Sequence, residues 1–127
     1  MGRCIEYRYK IKDSPCWYHL VADTGKELFN GFAKFRNVIT ETIGEFTGLL
    51  DRNKTKIFEG DIVKADVDFE PNGRIGWIGK IVFQNGAFCF WRKENDVYEL
   101  NRYHNFEIIG NIYDNPELLE LIGAQNA

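Results

Sequence analysis

Arg74-Ile75-Gly76-Trp77-Ile78-Gly79-Lys80-Ile81-Val82-Phe83-Gln84, then Asn85-Gly86, then Ala87-Phe88-Cys89-Phe90-Trp91-Arg92-Lys93 reads as two apolar β segments around a tight turn. Asn-Gly accepts the positive φ that primed hairpin turns demand, so the two segments are predicted to pair antiparallel. In the first, Ile75, Trp77, Ile81 and Phe83 face one way and Gly76, Ile78 and Val82 the other, while Gly76 and Gly79 permit a bend or bulge. In the second, Phe88, Phe90 and Arg92 share one face and Ala87, Cys89 and Trp91 the other, so both faces are apolar. A strand apolar on both sides is either buried against a covering element or part of an interface.

Outward from this hairpin the chain stays β. Ile57 to Glu59, Ile62 to Val67, Val97 to Leu100 and Phe106 to Tyr113 are strand-like runs, cut by turn signals at Asn53-Lys54, Glu59-Gly60-Asp61, Glu70-Pro71-Asn72-Gly73 and Glu94-Asn95-Asp96. A second hairpin signal stands at Asn72-Gly73. A meander of short antiparallel strands is implied, as a small SH3-like barrel or a strongly bent sheet. Ten of the chain's nineteen aromatics fall within residues 69 to 113, where they would fill such a core.

Ile5 to Lys12 alternates Ile5, Tyr7, Tyr9 and Ile11 against Glu6, Arg8, Lys10 and Lys12, the pattern of a strand with one wet face. Asp13-Ser14-Pro15 turns it into a second β segment, Cys16 to Ala22. Residues 27 to 43 fit either helix or strand: Phe32, Phe35, Val38, Ile39 and Ile43 recur at helical spacing, but several are β-branched. At the other end Asn115 suits a helix N-cap, Pro116 the first helical position and Gly123 the stop, predicting a short helix over 116–122. The expected organisation is a β-rich segment, 1–45, packed on a barrel region with its closing helix, 46–127.

The 127 residues are 44% hydrophobic and 28% charged, the composition of an ordinary globular domain large enough to bury a core. Net charge is −3, and residues 46–127 carry nine basic against thirteen acidic groups. Strong non-specific binding to nucleic acid is disfavoured by that balance. Cys4, Cys16 and Cys89 form no C-x-x-C pair and no apolar signal segment precedes them, which points to reduced thiols in the cytoplasm. The longest apolar runs are far too short to cross a bilayer as a helix.

Two blocks carry a family resemblance. Phe46-Thr47-Gly48-Leu49-Leu50-Asp51-Arg52-Asn53 with Ile57-Phe58-Glu59-Gly60-Asp61-Ile62-Val63 is the first, and Ile109-Gly110-Asn111-Ile112-Tyr113-Asp114-Asn115-Pro116-Glu117-Leu118-Leu119 the second. They resemble the YopX family of phage and prophage proteins, best over Phe46 to Glu120. The resemblance implies a phage- or prophage-encoded accessory protein in a bacterial cytoplasm, and it brings no established activity with it. Lys54 stands where the family usually has glycine, so either Asn53 takes a strained conformation or the turn is rebuilt.

Candidate sites divide into architecture and surface. Thr47, Gly48, Asp51, Glu59, Gly60, Asp61, Gly110, Asn111 and Pro116 are read as structural, since acids and small polar residues beside glycine are turn chemistry. Asp66, Asp68 and Glu70 alternate like hard oxygen ligands, but a calcium loop from Asp66 would need glycine where Pro71 stands. Cys4, Cys16 and His19 lack a nearby fourth zinc ligand, with only distant Cys89 or His104 to complete the set. No catalytic residue, metal or cofactor is expected. Trp77, Phe88, Phe90, Trp91 and Arg92 form the possible interaction surface, for a protein partner or a second copy. The alternative is a nucleic-acid-binding small barrel, stacking bases on Trp77 and Trp91 near Arg74, Arg92, Lys93 and Arg102.

Overall fold

A computed structural model describes residues 5–22, 37–69, 73–94, 96–100 and 105–125, with backbone alone for 66–69, 73–76 and 124–125. The described residues are mainly β, in two antiparallel sheets with one short C-terminal helix. The chain divides into two compact units, Met1–Phe46 and Thr47–Ala127.

In the first unit β1 (Ile5–Ile11) pairs antiparallel with β2 (Tyr18–Ala22) and with the start of β3 (Val38–Leu50), in the order β2-β1-β3. The connecting turn carries Asp13 at φ 65°, a conformation that aspartate tolerates better than most residues. Tyr9 is buried and stacks on Tyr18 at 5.8 Å. Alternation misplaces Arg8. It belongs to the expected wet face, yet it is 8% exposed, because the Trp17 ring lies 4.4 Å from its guanidinium. Of the ambiguous 27–43 segment, Val38 to Ile43 is strand and Asn37 a turn, and residues 27–36 lie outside the described residues. The β1–β3 register shifts between Arg8 and Lys10, and Thr42 Oγ1 bonds the backbone there. That hydroxyl accepts from Lys10 N at 2.9 Å and donates to Ile39 O at 2.6 Å.

The second unit holds the end of β3, β4 (Lys56–Phe58) beside it, and a five-stranded antiparallel sheet. Its strands are β5 (Asp61–Phe69), β6 (Gly73–Gln84), β7 (Ala87–Lys93), β8 (Asp96–Glu99) and β9 (Asn105–Asn111), in the order β8-β7-β6-β5-β9. The Asn85-Gly86 hairpin is present, with φ 53° and 83° at the two turn residues, as a primed turn requires. Asn72 lies outside the described residues, although Phe69 and Gly73 face one another at the base of that hairpin.

Register assigns each face. Val63, Ala65, Trp77, Ile81, Phe90, Phe106 and Ile108 come together on one side, where Leu49 and Ile57 close the core. On the other side α1 (Glu117–Gln125) packs across β6 and β7 and buries Ile122 to 2% exposure. Helix packing runs through Gly123, the expected stop, and ends only at Gln125. Glycine adopts helical dihedrals at a modest cost of about 1 kcal/mol, which packing of Ile122 offsets.

Closure into an SH3-like barrel is not found among the described residues, for β8 and β9 are opposite edges of the sheet. The outer edge of β9 is met instead by the turn that follows β3: Arg52 N donates to Phe106 O at 2.8 Å. No described helix is long and apolar enough to cross a membrane.

Candidate functional site

The motif residues resolve into a set of backbone locks. Asp51 is 7% exposed, and its Oδ1 accepts from Asn53 N (2.8 Å) and Thr55 N (2.9 Å). Its Oδ2 accepts from Ile108 N on β9 at 3.1 Å, so one side chain shapes a turn and ties it to a strand 57 residues away. Asp61, 2% exposed, accepts from Phe58 N at 2.8 Å and closes the tight turn before β5. Gly60 supplies φ 93° there, while its N donates to Ile81 O and its O accepts from Ile112 N. Thr47 donates to Ile57 O at 2.8 Å and accepts from Leu49 N, beside Gly48 at φ 89°. Glu59 is half-buried between these turns.

The second block is built the same way. Asn111 Oδ1 accepts from Tyr113 N and Asp114 N, and its Nδ2 donates to Asp114 Oδ2 at 3.1 Å. Asn115 does not cap the helix with its side chain. Its Oδ1 accepts from Asn111 N at 3.2 Å, and its backbone O receives Leu118 N. Gly110 has to be small, since a Cβ there would stand 2.6 Å from Asn115 Oδ1 and 2.7 Å from Leu118 Cδ1. Pro116 directly precedes α1, where its missing N–H costs nothing. Among the described residues no three His, Cys, Asp or Glu side chains are grouped to hold a metal.

Lys54 answers the question its position posed. It takes the left-handed conformation itself, at φ 63°, a geometry that costs a non-glycine residue about 1–2 kcal/mol. Restoring glycine removes this strain and gives back part as unfolded-chain entropy. Lys54→Gly is therefore expected to raise stability by about 0.5–1 kcal/mol. A urea midpoint that moves up with unchanged slope is the result to look for.

The five surface candidates separate. Phe90 is 3% exposed in the core, 6.0 Å from Phe106, and offers nothing to a partner. Trp77 packs against the same core; the Arg92 guanidinium covers its ring at 3.8 Å and bonds Asp96 at 3.0 Å. Phe88 is half-buried in an edge-to-face pair with Phe83 at 5.0 Å, and Phe83 is 52% exposed. Trp91 alone turns to the opposite face, where Lys80 Nζ lies 4.4 Å above its ring.

Trp91 forms the floor of an open groove of 390 Å³ between the sheet and α1, lined by Lys80, Arg92, Lys93, Leu119 and Ile122 as well. None of these residues is acidic, and two are lysines. The Arg92 charge is met by Asp96, whereas among the described residues no carboxylate pairs with Lys80 or Lys93. Lys80, Leu119 and Ile122 were invisible as site residues in sequence, because only tertiary packing brings the helix beside β6 and β7.

Several protons here are held tightly. Burial, and secondarily Glu99, pushes the Cys89 thiol above its ordinary 9.0. A hydrogen bond with Asp96, then burial, raises Tyr98 above 10.0, and burial foremost raises Tyr7 and Tyr9. Each group keeps its proton longer when folded, so its stabilising contribution is complete below the unfolded value and is lost as pH climbs through the native one. The contribution of these four groups is expected to hold level up to pH 9.0, decline above it through Cys89 and fall more steeply above pH 10.0 through the tyrosines. Denaturant melts stepped in pH check this, and Cys89→Ala is expected to remove the earliest part of the decline.

A mainly β protein of two antiparallel sheets, with its turns locked by buried side chains and a short helix closing the second sheet, is the class these observations define. The YopX family, described as YopX protein, matches residues 5–120, and the chain belongs to that family. The crystal structure of protein EF1440 from Enterococcus faecalis is similar at 28% identity, over 87% of this chain and 74% of that one, with a TM-score of 0.46. No curated protein matches the chain.

Proposed function

We propose that this chain is a non-catalytic accessory protein, phage- or prophage-encoded and acting in the cytoplasm of a bacterial host, that works by binding another protein or a second copy of itself. The observation that carries the reading is a contrast between two sets of residues. Asp51, Asp61, Thr47 and Asn111 are committed to backbone hydrogen bonds, whereas the groove at Trp91 presents apolar walls and two lysines to solvent. With it goes a reading of the second unit as a small SH3-like barrel, supported by the Arg52–Phe106 bond that brings the turn after β3 onto β9.

One feature favours a second reading: an indole flanked by two lysines can stack a base, with its phosphate held by the lysines, once the Lys80 side chain swings off the ring. It would rest on Trp91 alone, since Arg92 occupies the Trp77 ring. The excess of thirteen acidic over nine basic groups in residues 46–127 weighs against a polynucleotide.

Immobilised wild-type chain and Trp91→Ala, each exposed to bacterial host extract and to labelled single-stranded DNA, separate these readings. Recovery of a protein partner or of the chain's own second copy by wild type, reduced in Trp91→Ala, is expected. DNA binding that weakens steeply with salt and vanishes in Trp91→Ala would replace the proposal with the second reading.

A further inference from the structure

The groove does not stand alone, for the wall opposite Lys80 and Lys93 is α1 itself. On that helix Ile122 turns into the sheet, while Glu117, Glu120 and Leu121 are exposed, Leu121 to 48%. Spacing of three and four residues sets Glu120 and Leu121 on either side of Glu117 on the exposed side of the helix, an acidic face with an apolar edge. Leu119, 37% exposed, stands at the groove side of the same helix. The chain thus carries a cationic groove with an apolar floor, and beside it an acidic face with an apolar knob.

We infer that the occupant of the groove is α1 of a second copy, in a reciprocal dimer. Leu121 of each copy enters between Trp91 and Leu119 of the other, and Glu117 and Glu120 meet Lys80 and Lys93. A two-fold arrangement satisfies both grooves at once, because the same patch supplies groove and acidic face. Charge complementarity selects this occupant: the two lysines have no carboxylate partner among the described residues, and Glu117 has only a 3.5 Å contact from Asn115 Nδ2. The groove, at the small end of the range of about 300–1,000 Å³ for ligand clefts, admits one or two side chains per copy. Such a contact is weak and concentration-dependent.

This inference rests on the reading of the chain as a protein-binding module, and solution mass across a concentration series, with charge exchange, tests it separately. Wild type is expected to rise from 14.8 kDa toward twice that mass as concentration increases. Lys80→Glu with Lys93→Glu is expected to stay monomeric, and adding Glu117→Lys and Glu120→Lys to it to restore the dimer. Leu121→Lys, at an exposed position that leaves the core untouched, is expected to abolish association with unaltered circular dichroism. Wild type that remains monomeric throughout overturns the inference, as does a dimer that survives the lysine exchange. A lysine-exchanged monomer that the glutamate exchange cannot rescue overturns α1 as the occupant. A monomer that still captures a different protein through Trp91 overturns the dimer and leaves the protein-binding reading standing.

Discussion

Asp51→Ala is expected to lower the free energy of unfolding by about 3–5 kcal/mol, near the top of what a single substitution does. The side chain is 7% exposed and serves three backbone donors, Asn53 N, Thr55 N and Ile108 N. Truncation strands all three, and a buried donor left without its acceptor costs about 1–3 kcal/mol. Partial entry of water into the vacated space keeps the total below the simple sum. Asp51→Asn keeps one carbonyl oxygen but turns an amide N–H₂ toward at least one donor, so an intermediate loss of about 1–2 kcal/mol is expected. Urea unfolding measures both. An alanine variant with wild-type midpoint would overturn the structural reading of Asp51.

Gly79→Ala, one methyl group, is expected to cost about 3 kcal/mol, although alanine normally improves a strand position by about 0.5–1 kcal/mol. A Cβ at Gly79 would stand 2.7 Å from Trp91 O and 2.7 and 2.8 Å from two Phe90 ring carbons. The ring is locked in the core at 3% exposure, and the carbonyl belongs to the β6–β7 ladder, so neither neighbour can retreat cheaply. A thermal midpoint raised or unchanged in this variant would show that β6 and β7 approach less closely than the register implies.

Most of the β framework was legible because its signals are local. Asn85-Gly86 fixes a hairpin on its own chemistry, alternation along Ile5–Ile11 marks a strand whatever it packs against, and the short apolar run Ala87–Lys93 after the turn marks another. Non-local facts were hidden. A strand apolar on both faces does not say which face meets the core, and Phe90 is buried in it while Trp91 belongs to the groove. Arg8 alternates with the wet residues yet lies under Trp17, and nothing in a local window records that an indole will cover it. The bond from Asp51 to Ile108 has no sequence signature. Helix α1 shows apolar residues at Leu118, Leu119, Leu121 and Ile122, too evenly spread to reveal that Ile122 packs inward and Leu121 outward. Trp91, Arg92 and Lys93 stand out in the sequence, whereas the groove they share with Lys80, Leu119 and Ile122 exists only once α1 packs on the sheet.

The proposed division, architecture in the turns and recognition in the groove, is read in one measurement by amide hydrogen exchange over a series of protein concentrations, or with a captured partner. Added protection is expected in β6, β7 and α1, around Lys80, Trp91 and Leu119, with the amides of Asn53, Thr55, Phe58 and Ile108 unchanged. Protection that instead appears at those turn amides and leaves the groove unaffected would contradict the assignment of function to the groove.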